Sequence, residues 1–442
     1  MSAKLKLGIA LQGAFVLFLC YCYIFSLGTP EQLHHEGRRD LFFSLPDSYT
    51  ENTDPKPSVV AVQSSKLHTS SSKHPSSCKK YITFFGIVPY WKEVLTTLEH
   101  RSKRWIRNVL EGSRVHCNNE ACSVFVSYTE QPEDILSSDV VIFTNSFEWM
   151  SNGVWDKLVK LRPPGQKWIM STQESPHYVP GLRPPLKYRN LSYDWSDTYR
   201  TDSTFPSPYG KYEPFKNKDN LYLQQHKLDA LVKSKEKAVA WVASHCETLQ
   251  WNRTRFVEDL QKHIPVDTYG RCGTMELPWR RKDLLRKVME PYRFYLSFEN
   301  SCCSEYITEK FWRSLDFGMI PVVVGAPLED YLKVAPPNSF LHIDQFNSLK
   351  EMADYMIEIS QSESKLRRHL AWRTKGEVHT EEIQEHIINP LRNTSLCSIV
   401  KRLNANLQED EKSLFDFFGE QWDGSCKSCS SKRWMRVYQT ST

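Results

Sequence analysis

The longest unbroken apolar stretch, LGIALQGAFVLFLCYCYIFSLG from Leu7 to Gly28, has Gln12 as its only strongly polar member. A run of about 20 such residues matches the ~30 Å hydrocarbon core of a bilayer and exceeds the apolar region of a cleaved signal peptide. Lys4 and Lys6 precede it, so the expectation is a cytoplasmic tail over 1–6, a transmembrane signal anchor over 7–28, and the bulk of the chain on the lumenal side. From 29 to 77 all periodicity disappears. TENTDPKPS and HTSSSKHPSS are rich in Ser, Pro, Thr, His and charge, the composition of a flexible stem.

Beyond residue 77 the pattern becomes that of alternating strands and helices. YITFFGIVPYW (Tyr81 to Trp91) is a short β-branched and aromatic run, followed by an amphipathic stretch from Lys92 to Leu110. SVFVSY, DVVIFTN and KWIMSTQESP predict three more strands, with the helix VWDKLVKL between the last two. A polar passage rich in Pro and Gly, Tyr178 to Leu221, reads as loop. The pattern then restarts: AVAWVAS, VDTYG, YRFYLSFEN, IPVVVG and SFLHI predict strands, while TRFVEDLQKHI, the segment from about Ile307, and SLKEMADYMIEI predict helices. Two successive Rossmann-like α/β domains follow, 78–225 and 226–400, with a C-terminal segment over 401–442. Ligands of such sheets sit at the carboxyl ends of the strands, so a cleft between the domains is the expected site.

Composition narrows the function. The chain is 40% hydrophobic and 12% aromatic, enough to bury two cores. The net charge of +5 is spread rather than clustered, which gives no support to a nucleic-acid partner. No glycine-rich dinucleotide fingerprint or P-loop follows a predicted strand, and no Asp-x-Asp triplet is present to hold a divalent ion on a diphosphate. The sequons at Asn190, Asn252 and Asn393 fit a lumenal location. So do the twelve cysteines, two of them in the anchor, because disulfides persist there. Cys117 with Cys122, and Cys426 with Cys429, can tie the two ends of the folded part together, and without histidines nearby they are read as disulfide candidates and not as a metal site.

The densest polar cluster at a strand edge is FENSCCSEYITEKFW, residues 298 to 312. The strand ends near Asn300 and a helix begins near Thr308, where Thr308 or Ser304 can cap and Lys310 enters the first turn. A helix N-terminus with a lysine beside it suits an anion. The longer stretch FENSCCSEYITEKFWRSLDFGMIPVVVGAP resembles the signature of the GDP-fucose-dependent α1,3-fucosyltransferases: F-E-N-S, a spacer, an acidic residue before Y-[IV]-T-E-K, and a P-V-V-x-G-like strand. AWVASHC, VDTYGRCG, AWRTKGE and the terminal CKSC resemble further landmarks of that family.

The resemblance implies a two-domain GT-B type glycosyltransferase of the Golgi membrane, type II, acting on a glycan acceptor of a glycoprotein or glycolipid. It implies a GDP-fucose site in the second domain at Tyr306, Glu309 and Lys310 with Asn300 and Glu299, and Lys310 pairing with the diphosphate. Arg271 is a second candidate cation, and Ser244 and Tyr269 are further donor-pocket candidates. Inverting transfer needs a base for the acceptor hydroxyl, and Glu174 in TQESP matches the element holding the family's proposed base. No cofactor is required on this reading, a divalent metal being at most stimulatory. VVIFTNSFEWM departs from the Lewis-type members, with Thr144, Asn145 and Ser146 where histidine is expected, which leaves the N-glycan core or a protein hydroxyl as alternative acceptors. SHC and YGRCG look more like members acting on the N-glycan core, and Cys246 and Cys272 are candidates for a local disulfide.

Overall fold

The computed structural model describes residues 78–86, 113–116, 122–144, 150–188, 193–216, 221–246, 250–278, 282–380, 394–405, 415 and 417–439. All of them belong to the unit Lys73–Thr442. The expected anchor, the stem, and the amphipathic stretch Lys92 to Leu110 lie outside the described residues. Among the described residues no helix is long and apolar enough to cross a membrane.

The first sheet contains β1 (Cys78–Phe85), β2 (Ser113–His116), β3 (Cys122–Thr129), β4 (Val140–Phe143), β5 (Lys167–Thr172), β6 (Trp195–Thr198) and β7 (Phe205–Pro206), in the order β2-β3-β1-β4-β5-β6-β7. Only β2 is antiparallel to its neighbour. All four residues of β4, Val-Val-Ile-Phe, are buried, as a parallel strand covered on both faces demands. One cover is α1 (Asn152–Leu161), which Ser151 caps and which lays Trp155 and Leu158 against Phe143 and Trp168.

The second sheet contains β9 (Lys237–Val242), β10 (Val266–Tyr269), β11 (Tyr292–Phe298), β12 (Ile320–Val324) and β13 (Leu341–His342), all parallel, in the order β10-β9-β11-β12-β13. Alternation along β9 sends Val239 and Trp241 to one core and Ala240 and Val242 to the other. Around this sheet lie α2 (Leu221–Lys233), α3 (Arg253–Leu260), α4 (Lys282–Met289), α5 (Glu309–Asp316), α6 (Leu328–Val334), α7 (Leu349–Gln361) and α8 (Glu363–Leu370). Apart from the antiparallel edge β2, both sheets share the 2-1-3-4-5 strand order of the doubly wound fold, whose ligand crevice opens where the order reverses. In the second sheet that point lies between β9 and β11.

Three expectations change. The stretch Tyr178 to Leu221 is not all loop: β6 and β7 extend the first sheet, and β8 (Gly210–Pro214) pairs with β14 (Gly376–Thr380). β6 reads Trp-Ser-Asp-Thr and is held by hydrogen bonds rather than by an apolar pattern, Asp197 accepting from Ser171 Oγ at 2.9 Å and Ser207 Oγ at 2.6 Å. Second, α9 (Thr394–Asn404) buries Leu396, Ile399 and Val400 with Ile82, Val124 and Ile142 of the first sheet, so the chain has left the second domain before residue 400. Third, Cys426 and Cys429 bond to Cys303 and Cys302 in the middle of the second domain, while Cys246 bonds to Cys272. Cys117 lies outside the described residues, and Cys122 stands at the start of β3.

Candidate active site

The loop from β11 to α5 is organised around a carboxylate with no exposure at all. Glu299 follows β11; its N–H donates to Val324 O at 2.9 Å and its carbonyl accepts from Trp251 Nε1 at 3.0 Å. Its Oε1 accepts from the Thr308 N–H at 2.9 Å, and the Thr308 hydroxyl lies 2.8 Å from Oε2. The Lys310 ammonium donates to Glu299 Oε2 at 3.2 Å and to Thr308 Oγ1 at 2.9 Å. Thr308 is also the N-cap of α5, accepting from the Lys310 N–H. Gly325 is required behind this arrangement, because a Cβ there would stand 2.7 Å from Glu299 Cγ.

Glu309 opens α5 and bridges Lys310 Nζ at 3.3 Å and the Arg313 guanidinium at 3.4 Å. Burial works to raise its pKa, but Lys310 and Arg313 outweigh it and hold the carboxyl below its ordinary value. Lys310 is likewise opposed by burial, and Glu299, Glu309 and Glu174 together lift its pKa, so the ammonium stays charged. For Glu299 burial is the larger influence and raises the carboxyl, with Lys310 and the Thr308 donors pulling against it.

The first domain contributes Glu174, just past β5, where its N–H donates to Thr172 Oγ1 at 3.0 Å. The Tyr306 hydroxyl, from the β11–α5 loop, donates to Glu174 Oε2 at 2.9 Å. Next to it Ser175 Oγ donates to Ser301 Oγ at 2.7 Å, both serines being fully buried. Tyr306 is wedged between Tyr199 and Tyr209, ring centroids 5.0 and 6.4 Å away. Burial pushes the Glu174 carboxyl up to about 7, against Lys310 and the Tyr306 hydroxyl, which favour the carboxylate. A carboxyl in that range is poised to accept a proton near neutrality.

The fold thus brings Glu174, Glu299, Tyr306, Glu309 and Lys310 to one place. Asn300 lies beside them, its Oδ1 buried and without a partner. Tyr269 does not join them: its ring packs with Tyr292, Leu285 and Met289, and its hydroxyl sits 2.7 Å from that of Tyr292, so its polar end is spent in the core. Arg271 is exposed on the turn after β10, and Ser244 lies at the carboxyl end of β9 beside Gly270. Asn252 caps α3, accepting from the Arg255 N–H at 3.0 Å, while Asn190 and Asn393 lie outside the described residues.

Arg253 escaped the sequence reading. It is buried in the first turn of α3, donating to His245 O at 2.6 Å and Phe298 O at 3.4 Å, at the carboxyl ends of β9 and β11. A cation is disfavoured at a helix N-terminus unless an anion is to sit there, and that is the signal Arg253 shares with Lys310. In WNRTRF the sequon masks it. Beside Lys310 a small pocket opens, lined by Val242, Met289, Tyr295, Arg313 and Phe317 among others. Among the described residues no group of three or more His, Cys, Asp or Glu side chains is placed to hold a metal ion.

The C-terminal model of glycosyltransferase family 10 (fucosyltransferase) matches residues 232–416, and the N-terminal fucosyltransferase model matches residues 87–210. The chain belongs to glycosyltransferase family 10. The C-terminal family 10 match contains Arg253 and the whole Glu299–Lys310 loop, and the N-terminal match contains Glu174. Alpha-(1,3)-fucosyltransferase 7 of Rattus norvegicus is 35% identical over 259 residues, 58% of this chain and 62% of its own length. Alpha-(1,3)-fucosyltransferase 4 of Homo sapiens is 37% identical over 225 residues, 49% of this chain and 40% of its own. Glycoprotein 3-alpha-L-fucosyltransferase A of Drosophila melanogaster is 34% identical over 223 residues, 46% of this chain and 44% of its own. The matches thus span 40 to 62% of these family 10 relatives. A crystal structure of an alpha1,3-fucosyltransferase with GDP-fucose is similar with a TM-score of 0.42 and 17% identity, over 74% of this chain and 94% of that one.

Proposed function

We propose that this protein is an inverting fucosyltransferase that moves L-fucose from GDP-β-L-fucose to a GlcNAc hydroxyl of a glycoprotein or glycolipid glycan. The observation that carries this reading is the meeting of Glu174 from one domain with Lys310 and its carboxylate partners from the other, at the carboxyl ends of their strands. Relatives that bear the name alpha-(1,3)-fucosyltransferase support it.

In a single displacement the acceptor oxygen attacks the anomeric carbon as the bond to GDP breaks. Glu174 takes the hydroxyl proton on the face opposite the nucleotide, a task for which a pKa of about 7 suits it. Charge growing on the leaving diphosphate meets the Lys310 ammonium and the α5 N-terminus, with the Arg253 guanidinium nearby at the α3 N-terminus. Both Glu299 oxygens are engaged by Thr308 and Lys310, so Glu309, with the more exposed side chain, is the acid left to face the fucose. On this mechanism no metal is required and a divalent ion at most stimulates. The setting is the Golgi lumen, with Leu7–Gly28 as the type II anchor.

The test is to incubate the purified chain with GDP-fucose and a panel of lactosamine, chitobiose-core N-glycans and folded protein acceptors. Fucosylated product with inverted anomeric configuration is expected, and the best acceptor decides between an outer GlcNAc, the N-glycan core and a protein hydroxyl. Absence of both GDP release and product on every acceptor would leave a catalytically silent glycan-binding protein instead.

A further inference from the structure

Ten residues, 299–308, separate β11 from α5, and the two ends of this loop are tied together by the Glu299 carboxylate on Thr308 and Lys310. The middle carries one turn of its own, the Tyr306 N–H donating to Cys303 O at 3.1 Å, and is otherwise held from outside. It also contains Glu305 with φ 61°, a left-handed backbone that a residue with a Cβ adopts only at a cost of ~1–3 kcal/mol when its surroundings impose it. Glu305 itself is held by its N–H on Asp330 Oδ2 at 2.8 Å and by its Oε2, which accepts from the Thr201 N–H at 2.6 Å, and the residues before it are held by the C-terminal segment. Cys303 and Cys426 form an isolated antiparallel bridge, the Ser304 N–H donates to Ser425 O at 3.0 Å, and the Lys427 N–H donates to Cys302 O at 2.9 Å. The adjacent residues Cys302 and Cys303 are then cross-linked to Cys429 and Cys426.

These neighbouring disulfides enter different cores. Cys302 and Cys429 belong to the apolar cluster of the second domain, with Trp251, Phe298 and Met435. Cys303 belongs to the cluster that joins the two domains, together with Tyr306, Tyr199, Phe311 and Trp422, and Cys426 packs against it. Three residues beyond Cys303, the Tyr306 hydroxyl reaches Glu174 at 2.9 Å. On the other side of the pair, Ser301 is bonded to Ser175.

We infer that Cys303–Cys426 is a positioning element of the transfer reaction, fixing the turn that carries the Tyr306 hydroxyl to the Glu174 carboxylate, whereas Cys302–Cys429 stabilises the donor domain without setting that contact. The inference rests on Glu174 being the base of the proposed fucosyl transfer. It gives Cys426 of the C-terminal Cys-x-x-Cys a positioning role, exerted on the reacting groups only through the loop. Tyr306 is the relay, because its hydroxyl is the donor that favours the carboxylate form of Glu174.

The test compares the full chain with two paired variants, Cys303→Ala with Cys426→Ala, and Cys302→Ala with Cys429→Ala, by kcat, KM for GDP-fucose, pH profile and thermal unfolding. Loss of Cys303–Cys426 should lower kcat ~10- to 100-fold, the scale expected of a misplaced reacting group, and move the acid limb of the profile to higher pH. Adding Tyr306→Phe to that variant should cost little more, because both changes break one contact. Loss of Cys302–Cys429 should lower the unfolding temperature while kcat at a permissive temperature stays within ~3-fold. A folded Cys303/Cys426 variant with the parental kcat and pH profile, or full additivity with Tyr306→Phe, overturns the inference. If the first variant does not fold, stepwise reduction of the intact protein with a dithiol decides, with mass mapping of each disulfide: activity should fall with opening of Cys303–Cys426 ahead of unfolding, and activity that survives its opening overturns the inference. An unmodified chain that transfers no fucose refutes the proposed function instead, which separates the two failures.

Discussion

Glu174 and Glu309 sit in the same cluster, come from different domains, and end in opposite protonation regimes. Glu309 has Lys310 and Arg313 within 3.3 and 3.4 Å and is held below its ordinary pKa in spite of burial. Glu174 has no such contact among its hydrogen bonds, only the Tyr306 hydroxyl, and burial carries it up to about 7. Residue type therefore says little about role here. The second domain fixes its charges in pairs, while the first holds a carboxyl that burial has lifted towards neutrality.

The comparison breaks most sharply at Glu174. Glu174→Gln should reduce kcat by ~10² to 10⁴ while leaving the Kd for GDP within a few-fold, measured by product formation and calorimetry. Normal turnover in this variant would remove Glu174 as the base. Lys310→Ala should do the reverse, weakening GDP binding by about 10- to 100-fold, the scale of a lost charge-assisted hydrogen bond, and lowering the unfolding temperature because Glu299 loses its cation.

A smaller effect sharpens the comparison through pH. The rate should fall below about pH 7 as Glu174 becomes protonated, and Tyr306→Phe should move that limb upward by removing a donor to the carboxylate. The smallest effect is on stability. Because the folded pKa of Glu174, about 7, lies above its ordinary value of 4.5, its contribution is fully present below pH 4.5 and is lost as pH rises through 7. Gln carries no such dependence, so Glu174→Gln should be more stable than the parent by ~1 to 3 kcal/mol at pH 8, an advantage that fades towards pH 4.5 in thermal melts.

The strands were legible wherever a parallel sheet buries a continuous apolar run, as in DVVIFTN and IPVVVG, because burial on both faces leaves a local imprint. β6 left none, since Asp197 is held by Ser171 and Ser196 by Thr204, polar bonds that leave no apolar pattern. In the site, FENSCCSEYITEKFW announced the strand end, a cap at Thr308 or Ser304, of which the structure uses Thr308, and the Lys310 first turn, all of them local. Tyr269 was a further donor-pocket candidate, and its core bond to Tyr292 depends on a neighbouring strand.

By itself, then, the sequence determined two doubly wound domains and a polar strand-to-helix junction, because backbone periodicity and helix capping act over a few residues. Only the tertiary structure decided that Glu174 meets Tyr306 across 132 positions and that Cys302 and Cys303 pair with Cys429 and Cys426 over separations of 127 and 123. It also decided that Arg253 stands at the carboxyl ends of two strands. These contacts are fixed by how the chain packs, and packing brings together residues whose local sequences carry no mark of one another.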